Sequence, residues 1–335
     1  MLDVATGTVF FAKNENKRLP IASTTKIMTA LVVLEYARLD ALYTIQAKEA
    51  QTEGSSLELR KGDVLSIRSL LFGLMLVSGN DAAVALANAC AGSEEQFVKL
   101  MNRKANQIGL RDTHFMNASG LTQKGHYSTA HDMALLAAFA LQQKGFEALC
   151  ASWEKQIEFV VPSKSVYLRN HNRLLKEYEG CIGMKTGYTQ AAGRCLVSAA
   201  RRNGQTCIAV TLCDSNDWED HRAMLDYAFE NSEEVVFEGI KTHLPVVGGV
   251  KKSVALEGDA MRIYVPKSVS SALKRVIFVP HFIYAPVVQN EKIGEVTIYC
   301  ANTPVARTQL RAETAIRKTQ TKKTFWERIK ALWQT

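Results

Sequence analysis

The chain has 335 residues, of which 47% are hydrophobic and 22% are charged, which excludes a disordered or collagen-like protein and gives enough length for two domains. Its net charge of +8 is concentrated at the carboxyl end, where the last 25 residues hold seven Lys/Arg and two Glu. The cations of a nucleic-acid-binding domain usually cover a folded face, so we expect no nucleic acid partner.

The predicted elements begin with a hairpin over residues 2–13, which turns at Thr6-Gly7. Ser23 is predicted to be the N-cap of a helix that runs to about Arg38, because apolar residues recur there at helical spacing. The polar turn Ser78-Gly79-Asn80 separates two apolar helices and is expected to face solvent. The remaining elements are helices over 67–76, 80–91, 94–109, 130–143 and 217–230, and a hairpin over 193–202 and 205–213.

The composition changes at about residue 235. Residues 235–310 are rich in Val and Ile with Gly and Pro between them, which predicts a small all-β domain. The tail 313–335 is predicted to form a basic amphipathic helix that lies on an anionic membrane surface. Docking of that helix on the protein's own core remains an alternative. Its predicted apolar face consists of Phe325, Trp326, Ile329, Leu332 and Trp333.

No apolar run approaches the ~18 residues that a membrane-spanning helix needs. The seven cysteines include no C-x-x-C pair, and the seven histidines include no pair four residues apart. We therefore expect neither a metal nor a cofactor, and we expect the cysteines to be small buried apolar residues.

The first motif with catalytic potential is Ser23-Thr24-Thr25-Lys26. On a helix, residues i and i+3 share one face, and a lysine whose pKa is lowered can deprotonate a serine. The helix N-terminus would favour an oxyanion formed nearby. The pattern S-x-x-K also occurs at Ser152/Lys155 and Ser271/Lys274, so any one copy equally fits an N-cap serine with a surface lysine.

Two further motifs each occur once in the chain. The hydroxyl and amide of Ser78-Gly79-Asn80 could relay a proton and hold a substrate amide, although a helix terminator followed by a new helix has the same sequence pattern. The Lys and Thr of Lys185-Thr186-Gly187 could bind a carboxylate at a strand edge, where the glycine allows close approach to the backbone. The alternative is a strand start with an exposed lysine.

Together, S-x-x-K, S-x-N and K-T-G in this order resemble the penicillin-binding proteins and serine β-lactamases. Five longer segments resemble, more narrowly, the low-molecular-mass penicillin-binding proteins that are serine-type D-alanyl-D-alanine carboxypeptidases. The resemblance covers about residues 1–235. These segments are 20–30, 115–121, 126–130, 170–175 and 183–189.

The resemblance implies an α+β fold with three parts. A catalytic domain, residues 1–235, would contain an antiparallel sheet flanked by helices and an all-helical subdomain. A β-rich domain, residues 236–312, and a membrane-surface anchor, residues 313–335, would follow. The chain starts with strand-like sequence and no signal peptide, so we expect either that the start of an exported protein has been removed or that the start codon has been assigned wrongly.

The resemblance also implies the role of each site residue. Ser23 would be the nucleophile, Lys26 its general base, and Ser78 a carrier of protons between Lys26 and the leaving amine. Asn80 would hold the substrate amide, Lys185 and Thr186 would bind the terminal carboxylate, and the backbone N–H groups of Ser23 and Tyr188 would form the oxyanion hole. At His171 some relatives have an arginine that helps to attract the carboxylate, so no role is assigned to it.

The implied partners are peptidoglycan stem peptides as substrates and β-lactam antibiotics as covalent inhibitors, on the outer face of the cytoplasmic membrane. A serine β-lactamase is one alternative, but the sequence contains no convincing equivalent of the deacylating glutamate of class A enzymes. A non-catalytic binder of wall peptides is the other, and the three intact motifs argue against it.

Overall fold

The helix α1 (Lys26–Tyr36) lies at the core of the first structural unit, Met1–Ser232. Its first eight residues are all buried. The apolar side chains of α1 lie on all sides of the helix rather than along one stripe, a distribution that is typical of a helix buried inside a protein. α1 packs against five of the other helices of the unit. The computed structural model describes residues 1–319.

The other helices of this unit agree closely with the sequence prediction. The predicted helices 67–76, 80–91 and 217–230 are confirmed at both ends, and those at 94–109 and 130–143 end slightly earlier. The observed helices are α2 (Ala47–Ala50), α3 (Ile67–Leu76), α4 (Asn80–Ala91), α5 (Glu94–Gln107), α6 (Ala130–Gln142), α7 (Phe146–Cys150), α8 (Leu174–Glu177) and α9 (Asp217–Glu230).

The prediction that Ser23 caps the first helix is wrong. Ser23 lies inside a 3₁₀ turn, Ala22–Thr25, and α1 begins only at Lys26. No side chain caps either element, and the turn starts from Ala22, whose φ of 45° is left-handed. Helical spacing cannot distinguish a 3₁₀ turn from the first turn of an α-helix, because both bring residues three apart together.

The main sheet is antiparallel with the strand order β1-β8-β7-β6, so β6 is an edge strand. The predicted hairpin at 193–213 is confirmed as β7 and β8, which are joined by Asn203-Gly204 with positive φ at both residues. The strands are β1 (Leu2–Asp3), β6 (Cys181–Thr189), β7 (Gly193–Arg202) and β8 (Gln205–Leu212).

A second antiparallel sheet, which the sequence analysis did not predict, has the order β2-β3-β4-β5. Its long hairpin, β4 and β5, alternates buried and exposed residues only weakly, which explains why the pattern was missed. The strands are β2 (Leu42–Thr44), β3 (Val64–Ser66), β4 (Glu154–Val161) and β5 (Lys164–Arg169).

The second unit begins at Glu233 and is rich in β-structure, as predicted. Its larger sheet has the order β13-β15-β16-β11-β10-β14, and β9 pairs with β12 in a separate two-stranded sheet. The strands are β9 (Ser232–Phe237), β10 (Ile240–Val247), β11 (Ser253–Gly258), β12 (Met261–Pro266), β13 (Leu273–Phe278), β14 (Ile283–Tyr284), β15 (Lys292–Cys300) and β16 (Thr303–Ala312).

Residues 313–319, the first part of the predicted anchor, are not helical. Ile316 and Lys318 form isolated β-bridges with Val287 and Gly249. The rest of the predicted amphipathic helix, residues 320–335, lies outside the described residues. Within the described chain, no helix combines the length and apolar content of a membrane span.

Candidate active site

Four stretches that are far apart in the sequence meet around the amine of Lys26. Its Nζ lies 2.9 Å from Ser23 Oγ, 2.7 Å from Asn80 Oδ1 and 2.6 Å from the carbonyl oxygen of Ser119. Lys26 is fully buried, and a Cβ added at Gly187 of β6 would lie 3.0 Å from the backbone nitrogen of Ser23. The three predicted motifs therefore surround one point.

Burial lowers the pKa of Lys26 well below its ordinary value, and the charge of Lys185 lowers it further, whereas Asp81 opposes the shift. A neutral amine has two N–H groups and one lone pair. Asn80 Oδ1 and the Ser119 carbonyl accept the two N–H groups, which leaves the lone pair for the hydroxyl of Ser23. This arrangement suits a general base next to a nucleophile.

The turn that contains Ser23 is held by a buried chain of hydrogen bonds. Met116 N–H donates to His126 Nδ1 at 3.2 Å, so the proton of the neutral ring is on Nε2. Nε2 donates to Thr25 Oγ1 at 2.8 Å, and Thr25 Oγ1 donates at 2.8 Å to the carbonyl of Ala22. Burial lowers the pKa of His126 to about 4, so the ring stays neutral at pH 7.

Gly120 packs directly on this turn. Its φ is +88°, and a Cβ at this position would lie 1.9 Å from the carbonyl oxygen of Ala22. Only glycine fits both the conformation and the space. The neighbouring Ser119 carbonyl is thereby held against Lys26.

The Ser78-Gly79-Asn80 turn is buried rather than facing solvent as expected, with Ser78 and Asn80 each 4% exposed. Ser78 has a left-handed backbone, with a φ of 59°. Asn80 Nδ2 donates to the carbonyl of Glu53 at 2.7 Å, which orients its Oδ1 toward Lys26. Among the residues described, the hydrogen-bond partners of Lys26 do not include Ser78.

The loop that holds Asn80 is organised by the next residue, Asp81. This carboxylate is 1% exposed and accepts hydrogen bonds from the backbone N–H groups of Leu57 and Leu59 and from the hydroxyl of Ser56. A buried carboxylate with several N–H donors fixes a loop that has no regular structure of its own.

Lys185 is the second buried lysine of the site, with 1% exposure. Burial lowers its pKa to about 7, and its Nζ donates to the carbonyl of Thr186 at 3.0 Å. With this pKa, the buried amine of Lys185 loses its charge easily. An anionic ligand beside it would favour the protonated form, so the position suits an anion-binding residue.

Tyr188 and His171 lie at the margin of the site. Tyr188 is 66% exposed and belongs to the edge strand β6, and an edge strand has backbone N–H groups without a partner strand. Burial and the charge of Lys185 lower the pKa of His171, which identifies it as a neighbour of Lys185.

The sequence analysis missed Ser119, Asp81 and the pair His126–Thr25. All four lie in or beside segments that carried the resemblance. They were missed because a backbone carbonyl or a supporting hydrogen bond has no recognisable sequence pattern. The S-x-x-K copy at Ser152 and Lys155 does not assemble, because Ser152 donates to the carbonyl of Ala148 and Lys155 lies over the ring of Phe72. Among the described residues, no cluster of His, Cys, Asp and Glu could hold a metal.

Comparison with known proteins gives a consistent result. The family described as D-alanyl-D-alanine carboxypeptidase (Peptidase_S11) matches residues 1–216. The D-alanyl-D-alanine carboxypeptidase DacF of Bacillus subtilis is 39% identical over 241 residues, which cover 70% of this chain and 62% of the relative. The chain thus spans less than two thirds of that relative.

Solved structures are similar as well. Penicillin binding protein 5 from Haemophilus influenzae has a TM-score of 0.66 and 27% identity, over 95% of this chain and 96% of that one. The Streptomyces K15 DD-transpeptidase has a TM-score of 0.65 and 34% identity, over 68% of this chain and 95% of that one.

The hydrogen-bond chain through Thr25 predicts that Thr25→Val impairs the reactivity of Ser23. The change leaves the Nε2–H of His126 without an acceptor and the carbonyl of Ala22 without a donor, at a cost of about 1–3 kcal/mol. We expect slower acylation of Ser23 by a fluorescent penicillin, measured as a second-order rate constant, and lower stability to urea.

Thr24→Val is the matched control, since Thr24 is also buried and its hydroxyl donates only to the carbonyl of Ile21 at 2.6 Å. It is expected to lose stability with little change in acylation. Equal acylation rates in the two variants would contradict a positioning role of Thr25.

The lowered pKa values of the two lysines predict a pH optimum for the acylation rate. Ser23 needs a neutral Lys26, so the rate falls as the pH drops through the lowered pKa of Lys26. Anion binding needs a charged Lys185, so the rate also falls as the pH rises through about 7. Because an arginine stays charged in this range, Lys185→Arg is expected to lose the alkaline decline and keep the acidic one. An unchanged alkaline decline in that variant would assign it to another group.

Proposed function

The chain belongs to the D-alanyl-D-alanine carboxypeptidase family (Peptidase_S11), and we propose that it removes the terminal D-alanine from peptidoglycan stem peptides through an acyl-enzyme on Ser23. The observation that carries this proposal is the 2.9 Å contact between Ser23 Oγ and the buried amine of Lys26, whose two N–H groups already have acceptors.

Acylation follows from this contact. Ser23 Oγ attacks the carbonyl carbon of the penultimate D-alanine while its proton moves to Nζ of Lys26. The backbone N–H groups of Ser23 and Tyr188 stabilise the resulting oxyanion. The C–N bond then breaks, and the leaving amine of the terminal D-alanine takes up a proton. Ser78, which is buried in the neighbouring turn, carries that proton from Lys26.

Asn80 acts chiefly through Lys26. Its Oδ1 accepts from the Lys26 amine, and one of its amide N–H groups donates to Glu53. The second N–H of the amide is the donor that holds the substrate's amide side. Removing Asn80 would therefore affect both the orientation of the base and the binding of substrate.

Lys185 and Thr186 bind the terminal carboxylate of the substrate. A carboxylate next to Lys185 raises the pKa of this buried amine again, so binding favours its charged form. The free carboxylate is the feature that distinguishes the end of a stem peptide from an internal peptide bond, so this contact makes the enzyme a carboxypeptidase.

Water hydrolyses the ester in the second half of the reaction, with Lys26 as the base again. A serine β-lactamase needs fast hydrolysis of its penicilloyl ester, which class A enzymes obtain from a glutamate. Membership of the D-alanyl-D-alanine carboxypeptidase family supports a peptidase over a β-lactamase.

Family membership implies peptidoglycan peptides as substrates and β-lactams as covalent ligands. We extend this to an extracytoplasmic location, on the outer face of the cytoplasmic membrane, because these substrates are assembled there. The basic apolar sequence of residues 320–335 supports attachment to an anionic lipid surface.

The nucleophile assignment predicts that Ser23→Ala abolishes both the release of D-alanine from a D-Ala-D-Ala tripeptide and covalent labelling by a fluorescent penicillin. The reason is that, among the described residues, Ser23 supplies the one hydroxyl that is hydrogen-bonded to Lys26. Ser152→Ala, in a second S-x-x-K copy, is the matched control and is expected to keep both activities. Persistent labelling of Ser23→Ala would mean that the nucleophile lies elsewhere.

The same assay separates the proposed function from its two alternatives. A carboxypeptidase releases D-alanine rapidly and turns over penicillin slowly. Rapid penicillin hydrolysis with little alanine release would indicate a β-lactamase, and binding without either product would indicate a non-catalytic binder.

The carboxylate contact predicts that Lys185→Ala weakens kcat/KM for tripeptides with a free carboxylate by about 10- to 100-fold, the size expected for a lost charge-assisted hydrogen bond of about 1.5–3 kcal/mol. The matched substrate is the same peptide with an amidated carboxyl end, which is expected to lose far less. Equal losses for the two substrates would contradict the assignment.

A further inference from the structure

One end of the second unit has an apolar surface that is exposed among residues 233–319, the part of the unit that the structure describes. Val247, Val250, Tyr284 and Val288 are 46%, 63%, 69% and 64% exposed, and Phe282 is 46% exposed. Scattered exposed residues of this kind are ordinary, but a contiguous group usually indicates an interaction site.

These residues lie close together because strand pairing and backbone hydrogen bonds join the segments that contain them. Val247 pairs with Tyr284 across β10 and β14, and the rings of Phe282 and Tyr284 lie 5.5 Å apart. Val250 N–H donates to the carbonyl of Arg317 at 2.9 Å, and Val287 and Ile316 exchange hydrogen bonds at 2.9 and 3.0 Å. We call this surface the end patch.

Four exposed cations lie on the Val250 side of the end patch, namely Lys251, Lys252, Arg317 and Lys318. None of them forms a salt bridge within the described part of the chain. Glu291 lies beside Val288, and its carboxylate accepts from the N–H of Val288 at 2.9 Å. The patch is therefore apolar at its centre, aromatic on one side and strongly basic.

We propose that the end patch binds an anionic lipid surface. Exposed aromatic and aliphatic side chains with Lys and Arg beside them match the boundary between acyl chains and anionic headgroups. A second copy of this chain would fit poorly, because a two-fold contact would bring the same four cations together.

The position of the patch in the chain supports the same partner. Thr319, the last described residue, donates its N–H to the carbonyl of Gly248 within the patch at 2.8 Å. The next residues, 320–335, contain Lys322, Lys323, Phe325 and Trp326. Two weak membrane signals that adjoin one another give stable attachment where each alone would be marginal.

The charge contribution is tested by vesicle sedimentation of the full chain. Lys251→Gln/Lys252→Gln is expected to weaken binding to vesicles of phosphatidylglycerol and phosphatidylcholine by about fivefold per cation, hence about 25-fold. Vesicles of phosphatidylcholine alone are expected to bind all variants weakly.

The matched control is the β13 edge at the other side of the same sheet, which is also basic and apolar. Lys274→Gln/Arg275→Gln is expected to leave vesicle binding unchanged. If the two double variants lost equal affinity for anionic vesicles, the effect would be one of net charge and the proposal would be overturned. Unchanged affinity of the end-patch variant would overturn it as well. Penicillin labelling of each variant verifies that the first unit is folded.

The insertion of apolar residues is tested with a polarity-sensitive dye on Val250→Cys and, as control, on Ile277→Cys of β13. Both are made in a Cys213→Ser background, because Cys213 is exposed. Anionic vesicles are expected to shift the emission to the blue at residue 250 only. If the emission shifted at neither position, vesicle binding would be due to residues 320–335 alone. If it shifted without vesicles in a way that depends on protein concentration, the patch would be a site of self-association. Either result overturns the proposal.

Discussion

A buried lysine amine with no carboxylate partner is the feature on which the catalytic unit depends. Transfer of an ammonium ion into a protein interior costs several kcal/mol unless the charge is paired. Lys26 is fully buried and its hydrogen-bond partners are an amide, a carbonyl and a hydroxyl, so the protonated form is disfavoured. The same burial that destabilises the ammonium ion lowers the pKa of Lys26, which favours the neutral amine that a general base requires.

The surrounding fold holds this base against the nucleophile at the cost of local strain. Ala22, in the turn before Lys26, and Ser78, two residues before Asn80, have left-handed backbones although neither is glycine. Such residues cost about 1–3 kcal/mol each and persist only where their surroundings fix them. Here the surroundings are the His126–Thr25 hydrogen bonds around Ala22 and the Asp81 hydrogen bonds beside Ser78.

The two structural units use lysine in opposite ways. In the first unit, Lys26 and Lys185 are buried, and the loss of solvent lowers the pKa of both amines. In the second unit, Lys251, Lys252 and Lys318 are exposed beside apolar side chains, an arrangement that matches the anionic headgroups we propose as their partner. The first arrangement suits the catalytic roles that we propose, and the second suits the proposed membrane contact.

The sequence by itself determined most helices, the β7–β8 hairpin, the β-rich second unit and the identity of the three motifs, because these depend on local spacing and residue type. It gave the wrong conformation at Ser23, since a 3₁₀ turn and a capped α-helix bring Ser23 and Lys26 together equally well. Only the tertiary structure showed that the S-G-N turn is buried, that Ser119 contributes a carbonyl, and that His126 supports the turn. The physical reason is that burial and backbone contacts join residues about 100 positions apart, as Thr25 and His126 are, and no local pattern records such pairs.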